Sequence, residues 1–375
     1  MADHYCFGEL FMNSIFQSVT AGLPQHGGDL QSAATEFHIP VKQWLDLSTG
    51  INPVTYPVQD IPESVFYQLP YPQKEFIDAI HGYYQQSGFL AVCGTQSAIQ
   101  VIPELLNTQH TFPVLLPSVG YKEHERYWAR AGNLCRHYSA MNADEMIDDI
   151  STALMQNRQQ HLVLINPNNP TGVTLSADQI LAWAALLEFG AFLIVDEAFI
   201  DATGEHSLLS EPKLPNNCIV LRSFGKFFGL AGLRVGFVFS SKSFRDRLKE
   251  RLGIWQINGP AQWLATKALT DHAWQHKAMQ ELNANAYYSQ RQYQVIVDHF
   301  SVQQVFTTDY FMTVELTLVQ ALDIRRRLGE QGILIRIIPM DQTMALIRMG
   351  NINRHDLSAC RRLLKMTKAL RTQAW

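Results

Sequence analysis

Lys226 is the best-placed nucleophile in this chain. It stands in Ser223-Phe224-Gly225-Lys226-Phe227-Phe228-Gly229, between one apolar run, 218–224, and another, 235–239. Aromatic residues wall it and glycines let backbone pack closely around it, and a lysine kept from water gives up its proton more readily. A neutral amine in such a place can attack a carbonyl and form a Schiff base. Other residues recur at equivalent places, at the end of an apolar run or in the turn beyond it. Asp196 closes the run 192–195, where a carboxylate can keep a pyridine nitrogen protonated and make its ring an electron sink. Asn169, in Asn168-Asn169-Pro170-Thr171-Gly172, can donate to a phenolate oxygen, and an Asx turn uses the same residues. Ser223 and Arg234, with the backbone N–H groups of Gly94-Thr95-Gln96 at a helix start, can form a cup for a phosphate. Tyr121 follows another apolar run and can stack on a ring. Each alone has an ordinary use as a cap, an ion pair, a turn or a packing residue. The chemical reading rests on the combination, with Asn169, Asp196, Lys226 and Arg234 each at a strand end.

Positioning these groups requires a sheet. Apolar runs at 89–92, 112–116, 161–166, 192–195, 218–224 and 235–239 read as strands, and runs without alternation suit strands covered on both faces. Helices intervene. One opens at Gly94 with Ala98, Val101, Ile102, Leu105 and Leu106 on one face, and another follows the capping box Ser176-Ala177-Asp178-Gln179. This alternation predicts an α/β fold, a doubly wound domain with a mainly parallel sheet. Beyond about residue 245 the pattern turns helical as far as about 299. It then gives strands near 303–318, 333–338 and 344–349 and helices near 319–330 and 354–371, a smaller α+β domain. The expected divisions are an N-terminal segment 1–45, with a helix over Met1–Ala21, a large domain 46–245 and a small domain 246–375.

Composition narrows the function. A net charge of -4 over 375 residues, without a block of like charge, predicts no nucleic-acid partner. No apolar run is long enough to span a bilayer, and no leader pattern is read at the N-terminus. Five scattered cysteines read as reduced thiols of a cytoplasmic protein. No Gly-x-Gly-x-x-Gly follows a strand, which argues against a nicotinamide dehydrogenase. His124-Glu125 lacks the second histidine of a zinc hydrolase motif, and no metal site is expected.

Asn166-Pro-Asn-Asn-Pro-Thr-Gly172, Val195-Asp-Glu-Ala-Phe199 and Ser223-Phe-Gly-Lys-Phe-Phe-Gly-Leu-Ala-Gly-Leu-Arg-Val-Gly236 together resemble the fold-type-I pyridoxal phosphate (PLP) enzymes of aminotransferase class I/II. Within that group the chain is similar to histidinol-phosphate aminotransferases. It is closer to the threonine-phosphate decarboxylases of cobalamin biosynthesis, through His26-Gly27-Gly28, Asp46-Leu-Ser-Thr-Gly-Ile-Asn52-Pro53, Gly94-Thr95-Gln96, Val220-Leu-Arg-Ser223 and Ile333-Leu-Ile-Arg336. The likeness runs over roughly residues 24 to 370. It implies that Lys226 carries PLP, Asp196 pairs with the ring nitrogen, Asn169 contacts the ring oxygen and Tyr121 stacks on the ring. Gly94, Thr95, Ser223 and Arg234 would hold the phosphate. Tyr71 would reach the cofactor of a neighbouring subunit in a homodimer. His26, Gly27, Asn52, Arg336 and Arg348 would form the pocket for a small phosphorylated amino acid, two arginines suiting a carboxylate and a phosphate. The implied reaction is decarboxylation of O-phospho-L-threonine to (R)-1-aminopropan-2-ol O-phosphate. A histidinol-phosphate-type aminotransferase is the alternative, and a non-catalytic PLP-binding regulator is a further one. The chain departs from the pattern at Phe199, where many relatives have tyrosine, at Gly225, where a hydroxyl residue often precedes the lysine, and in the irregular loop Ser118-Val-Gly-Tyr121.

Overall fold

The computed structural model describes residues 23–24, 26–107 and 111–371. The helix expected over Met1–Ala21 lies outside them. Contacts divide the chain into two compact units, one Val54–Gln280 and the other the described residues of Met1–Pro53 with Glu281–Trp375.

A short first strand, β1 (Leu45–Asp46), belongs to the second unit. The first unit is built on seven strands: β2 (Phe89–Val92), β3 (Val114–Pro117), β4 (Cys135–Tyr138), β5 (His161–Ile165), β6 (Leu193–Asp196), β7 (Cys218–Ser223) and β8 (Gly236–Phe239). Their order in the sheet is β2-β8-β7-β6-β5-β3-β4. All neighbouring pairs are parallel except the two made by β8, which runs antiparallel to β2 and to β7. β5 and β6 are buried at every position, as unalternating apolar strands require. One face packs Val163, Ile194, Ile219 and Val238 against Ala98, Ile102, Trp128, Phe244 and Leu248 of the covering helices. On the helix Lys74–Tyr84, Tyr84 sets its ring against Phe237 and Phe239. The capping box is realised in part, Ser176 accepting from the Gln179 N–H.

The expected divisions stood at 45/46 and 245/246, whereas the compact units divide at 53/54 and 280/281. The reason is packing. The helix Lys242–Leu252 lies on the helix Gly94–Leu106, with Phe244 and Leu248 in the same core, and the helix Gly259–Thr270 lies on Lys74–Tyr84. The later division falls inside the 28-residue helix His272–His299.

The second unit contains an antiparallel sheet of β9 (Gln304–Thr307), β10 (Phe311–Thr317), β12 (Arg336–Pro339) and β13 (Met344–Gly350), in the order β12-β13-β10-β9. β1 pairs in parallel with β11 (Ile333–Leu334). The core of this unit gathers Met312, Val314, Ile347 and Met349 from the sheet with Ile324, Leu328, Leu363 and Met366 from the helices Leu318–Gly329 and Leu357–Arg371. Among the described residues no helix is long and apolar enough to cross a membrane.

Candidate active site

At the carboxyl edge of the parallel strands, Thr95, Gln96, Tyr121, Asn169, Asp196, Phe199, Ser223, Lys226 and Arg234 line one cavity of about 150 Å³. Loops leaving the ends of parallel strands open into a crevice at that edge. β7 stops at Ser223 and gives way to a four-residue helix, Phe224–Phe227, that carries Lys226. Phe224 and Phe228 stack at 4.4 Å, and Phe228 stacks in turn on Trp274 at 5.7 Å. The aromatic wall read from the sequence therefore packs largely on itself, and the ring facing the Lys226 amine is Phe199, with Nζ 5.1 Å from its centroid. No hydroxyl is present at that ring. Gly225 also has a physical explanation: a Cβ there would lie 2.6 Å from the Ala231 Cα, so the turn that returns to Arg234 occupies the space of a side chain.

Asp196 ends β6 buried, and both of its oxygens are engaged. Oδ1 accepts from the Ala198 N–H at 3.1 Å, and Oδ2 lies 3.0 Å from His124 Nε2. His124 is itself buried, on the first turn of the helix Glu123–Arg130, and it fixes the direction of the carboxylate. Asn169 sits in a turn anchored on both sides. Asn168 donates to the Val119 carbonyl at 3.0 Å and to Thr171 Oγ1 at 2.9 Å, and Asn166 exchanges hydrogen bonds with the backbone of Leu175. The Tyr121 hydroxyl donates to Gln96 Oε1 at 2.9 Å. Burial, followed by Glu123 and Asp196, pushes its pKa up to about 12, so it stays a phenol at neutral pH. Gly94 opens its helix at φ +69°, and a Cβ would lie 2.6 Å from Arg234 Nη2. The guanidinium thus sits against the helix N-terminus, where two kinds of anion donor meet. Tyr71 is 58% exposed and meets the Trp255 ring edge-on at 6.0 Å.

A second set of predicted residues belongs to the other unit. Arg336 on β12 and Arg348 on β13 are cross-strand partners, two cations set opposite each other, an arrangement that disfavours both charges. Arg348 is buried, donates from Nη2 to the Ser48 carbonyl at 2.6 Å and lies over the Phe311 ring at 5.2 Å. Burial, then Arg336, push its pKa down to about 10, with Asp46 opposing. Arg336 donates to the Pro24 carbonyl. His26 and Arg336 border one small cleft with Ser48 and Arg325, and Asn52 is buried in the same unit.

The sequence reading missed His124 as the partner of Asp196, and it missed a buried ionic cluster behind the cavity. Glu197 accepts from Ser207 Oγ at 2.6 Å and from the Leu208 N–H at 2.8 Å. Arg222 donates to Glu197 at 3.3 Å and to Asp201, and Tyr83 donates to Asp201 at 3.1 Å. Glu197 follows Asp196 and Arg222 precedes Ser223, so strand alternation sends the ionic pair to one face and the cavity residues to the other. A charged residue inside the apolar run 218–224 was the available signal, since arginine is seldom buried without a partner.

The donor set suits PLP. It combines one amine, one buried carboxylate, two amides and a cation with hydroxyl groups, all around one cavity.

Comparison with known proteins gives concordant results. A family model for aminotransferase class I and II matches residues 48–361. The chain is 40% identical over 248 residues to a threonine-phosphate decarboxylase of Pseudomonas aeruginosa, which covers 66% of this chain and 71% of that protein. It is 30% identical over 330 residues to a threonine-phosphate decarboxylase of Salmonella typhimurium, covering 83% and 87%. Its fold matches that of a histidinol-phosphate aminotransferase from Sinorhizobium meliloti in complex with pyridoxal-5'-phosphate, with a TM-score of 0.73 at 18% identity, over 92% of this chain and 95% of that one.

Proposed function

This chain belongs to the aminotransferase class I and II family, and from that premise we propose that it is a PLP enzyme that decarboxylates O-phospho-L-threonine to (R)-1-aminopropan-2-ol O-phosphate. The carrying observation is the cavity that gathers Lys226, Asp196, Asn169 and Arg234 in a chain 40% identical over 248 residues to a threonine-phosphate decarboxylase. Lys226 would hold the cofactor through Nζ, Asp196 would answer its ring nitrogen, Asn169 its ring oxygen and Tyr121 its ring face. Gly94, Thr95, Ser223 and Arg234 would hold its phosphate. When bound, PLP supplies an electron sink for the pair released as the Cα–carboxylate bond breaks.

The chain's own residues set the conditions. His124 and the Ala198 N–H aim the Asp196 carboxylate in a buried site, which favours a proton on an opposing nitrogen. The protonated phenol of Tyr121 donates to Gln96, fixing the ring's edge. Arg336 and Arg348 would grip the carboxylate and phosphate of the substrate, each of which can take a bidentate guanidinium. Their placement decides which Cα bond is held for cleavage, and small displacements there change the outcome. His26, Gly27 and Asn52 would complete the pocket. Exposed Phe66, Tyr67, Leu69 and Tyr71 support a homodimer with Tyr71 facing a second copy. Purified protein loaded with PLP and given O-phospho-L-threonine should release CO₂ with no 2-oxo acid present. Turnover that requires a 2-oxo acid would overturn this reading in favour of the aminotransferase.

A further inference from the structure

Arg348 is held by residues 46–49, at the start of the Asp46–Pro53 motif, where only Asn52 has been given a role. β1 ends at Asp46, and the chain continues through Leu47 and Ser48, the serine being 1% exposed. Asp46 Oδ1 accepts from the Ser48 N–H at 2.8 Å and from the Ser48 hydroxyl at 2.6 Å. A hydroxyl has one proton. With that proton given to Asp46, Ser48 Oγ can only accept, and it accepts from the Gly28 N–H at 2.7 Å. The Ser48 carbonyl accepts from Arg348 Nη2 at 2.6 Å. The same carbonyl oxygen would lie 2.3 Å from a Cβ on Gly27, so only glycine lets that arm approach. On the far side, the Gly350 N–H donates to the Leu47 carbonyl at 2.7 Å, and a Cβ on Gly350 would lie 2.0 Å from the Thr49 carbonyl oxygen. Residues 46–49 are thus clamped between the His26-Gly27-Gly28 arm and the end of β13.

We infer that Ser48 is a positioning residue for the substrate's anionic group, its hydroxyl fixing the Gly27-Gly28 backbone and its carbonyl fixing the Arg348 guanidinium. This rests on the proposed substrate pocket. Asp46 orients the serine and does not itself touch substrate. A purely local turn would need only the Asp46 bond to the Ser48 N–H. The bonds to Gly28 and Arg348, 20 and 300 residues away in sequence, are what give Ser48 a role in the pocket.

The test uses PLP-loaded enzyme and calorimetric titration with O-phospho-L-threonine, alongside the visible absorption of the bound cofactor and its pH titration. Ser48→Ala removes the hydroxyl and keeps the carbonyl. The expected result is a dissociation constant and a KM about tenfold higher, a kcat within about twofold of wild type, and an unchanged cofactor spectrum and pH titration. Asp46→Asn, which keeps the shape and lets the hydroxyl proton turn away, should raise the same constants about threefold and serves if the alanine variant does not fold. Wild-type affinity in both variants overturns the inference while the functional reading stands. A shifted cofactor titration with unchanged affinity also overturns it. Failure of the wild-type enzyme to bind O-phospho-L-threonine overturns the functional reading, and the inference with it.

Discussion

Arg222 and Arg348 are both buried arginines on strands, 5% and 8% exposed, and the balance of charge around them differs. Arg222 meets Glu197, Asp201 and the Tyr84 ring 4.9 Å below it. Burial draws its pKa down, but Asp201, Tyr84 and Glu197 outweigh burial and raise it overall. Arg348 lies beside Arg336, and burial and that second cation draw its pKa down to about 10. Both keep their protons at neutral pH, so the difference lies in what answers the charge. At Arg222 the fold answers it, and the cluster ties the ends of β6 and β7 together behind the cavity. At Arg348 burial and a second cation across the strand outweigh the opposing carboxylate of Asp46, an arrangement that a bound anion relieves.

Removing each charge tests that contrast and should give the largest difference. Arg222→Leu leaves Glu197 and Asp201 buried without their cation and should cost about 3–5 kcal/mol. Arg348→Met relieves a like-charge pair but also takes away the donor to the buried Ser48 carbonyl, so it should cost about 1–3 kcal/mol, less than Arg222→Leu. It should also abolish the stabilisation by O-phospho-L-threonine, which for wild type is about 2.7 kcal/mol at a hundredfold excess over the dissociation constant. Denaturant midpoints with and without ligand measure all three. Equal costs for the two variants would break the comparison.

A smaller effect sharpens it. His161, in the same unit as Arg222, is fully buried against Trp128, and its Nδ1 accepts from the Phe192 N–H at 3.1 Å. Burial pushes its pKa down from 6.5 to about 4. Between those values the unfolded chain binds a proton that the folded one refuses. The stability is therefore complete above pH 6.5 and falls by roughly 3 kcal/mol as pH drops to 4. His161→Phe should flatten that part of a stability–pH profile, and an unchanged slope would assign the acid sensitivity elsewhere.

What was legible in the sequence was local. Apolar runs placed β5 to β8 within a residue or two, and turn chemistry located Asn169 and the Ser176 cap. The order of Asn169, Asp196, Lys226 and Arg234 anticipated a single cavity because parallel strands bring their carboxyl ends to one edge. What escaped was set by partners distant in sequence. His124 meets Asp196 across 72 residues, and Arg222 meets Glu197 across 25. The helices between 242 and 270 gave no sign that they pack within the unit of the large sheet, because amphipathic periodicity shows that a face is buried but not against what. Gly225 looked like a lost hydroxyl, and only the closeness of Ala231 explains it.

The most direct measurement concerns Lys226. Purified protein loaded with PLP and reduced with borohydride should carry one pyridoxyl label, found by peptide mass spectrometry on Lys226 and absent from Lys226→Ala. A label on another lysine, or no label after loading, would contradict the account.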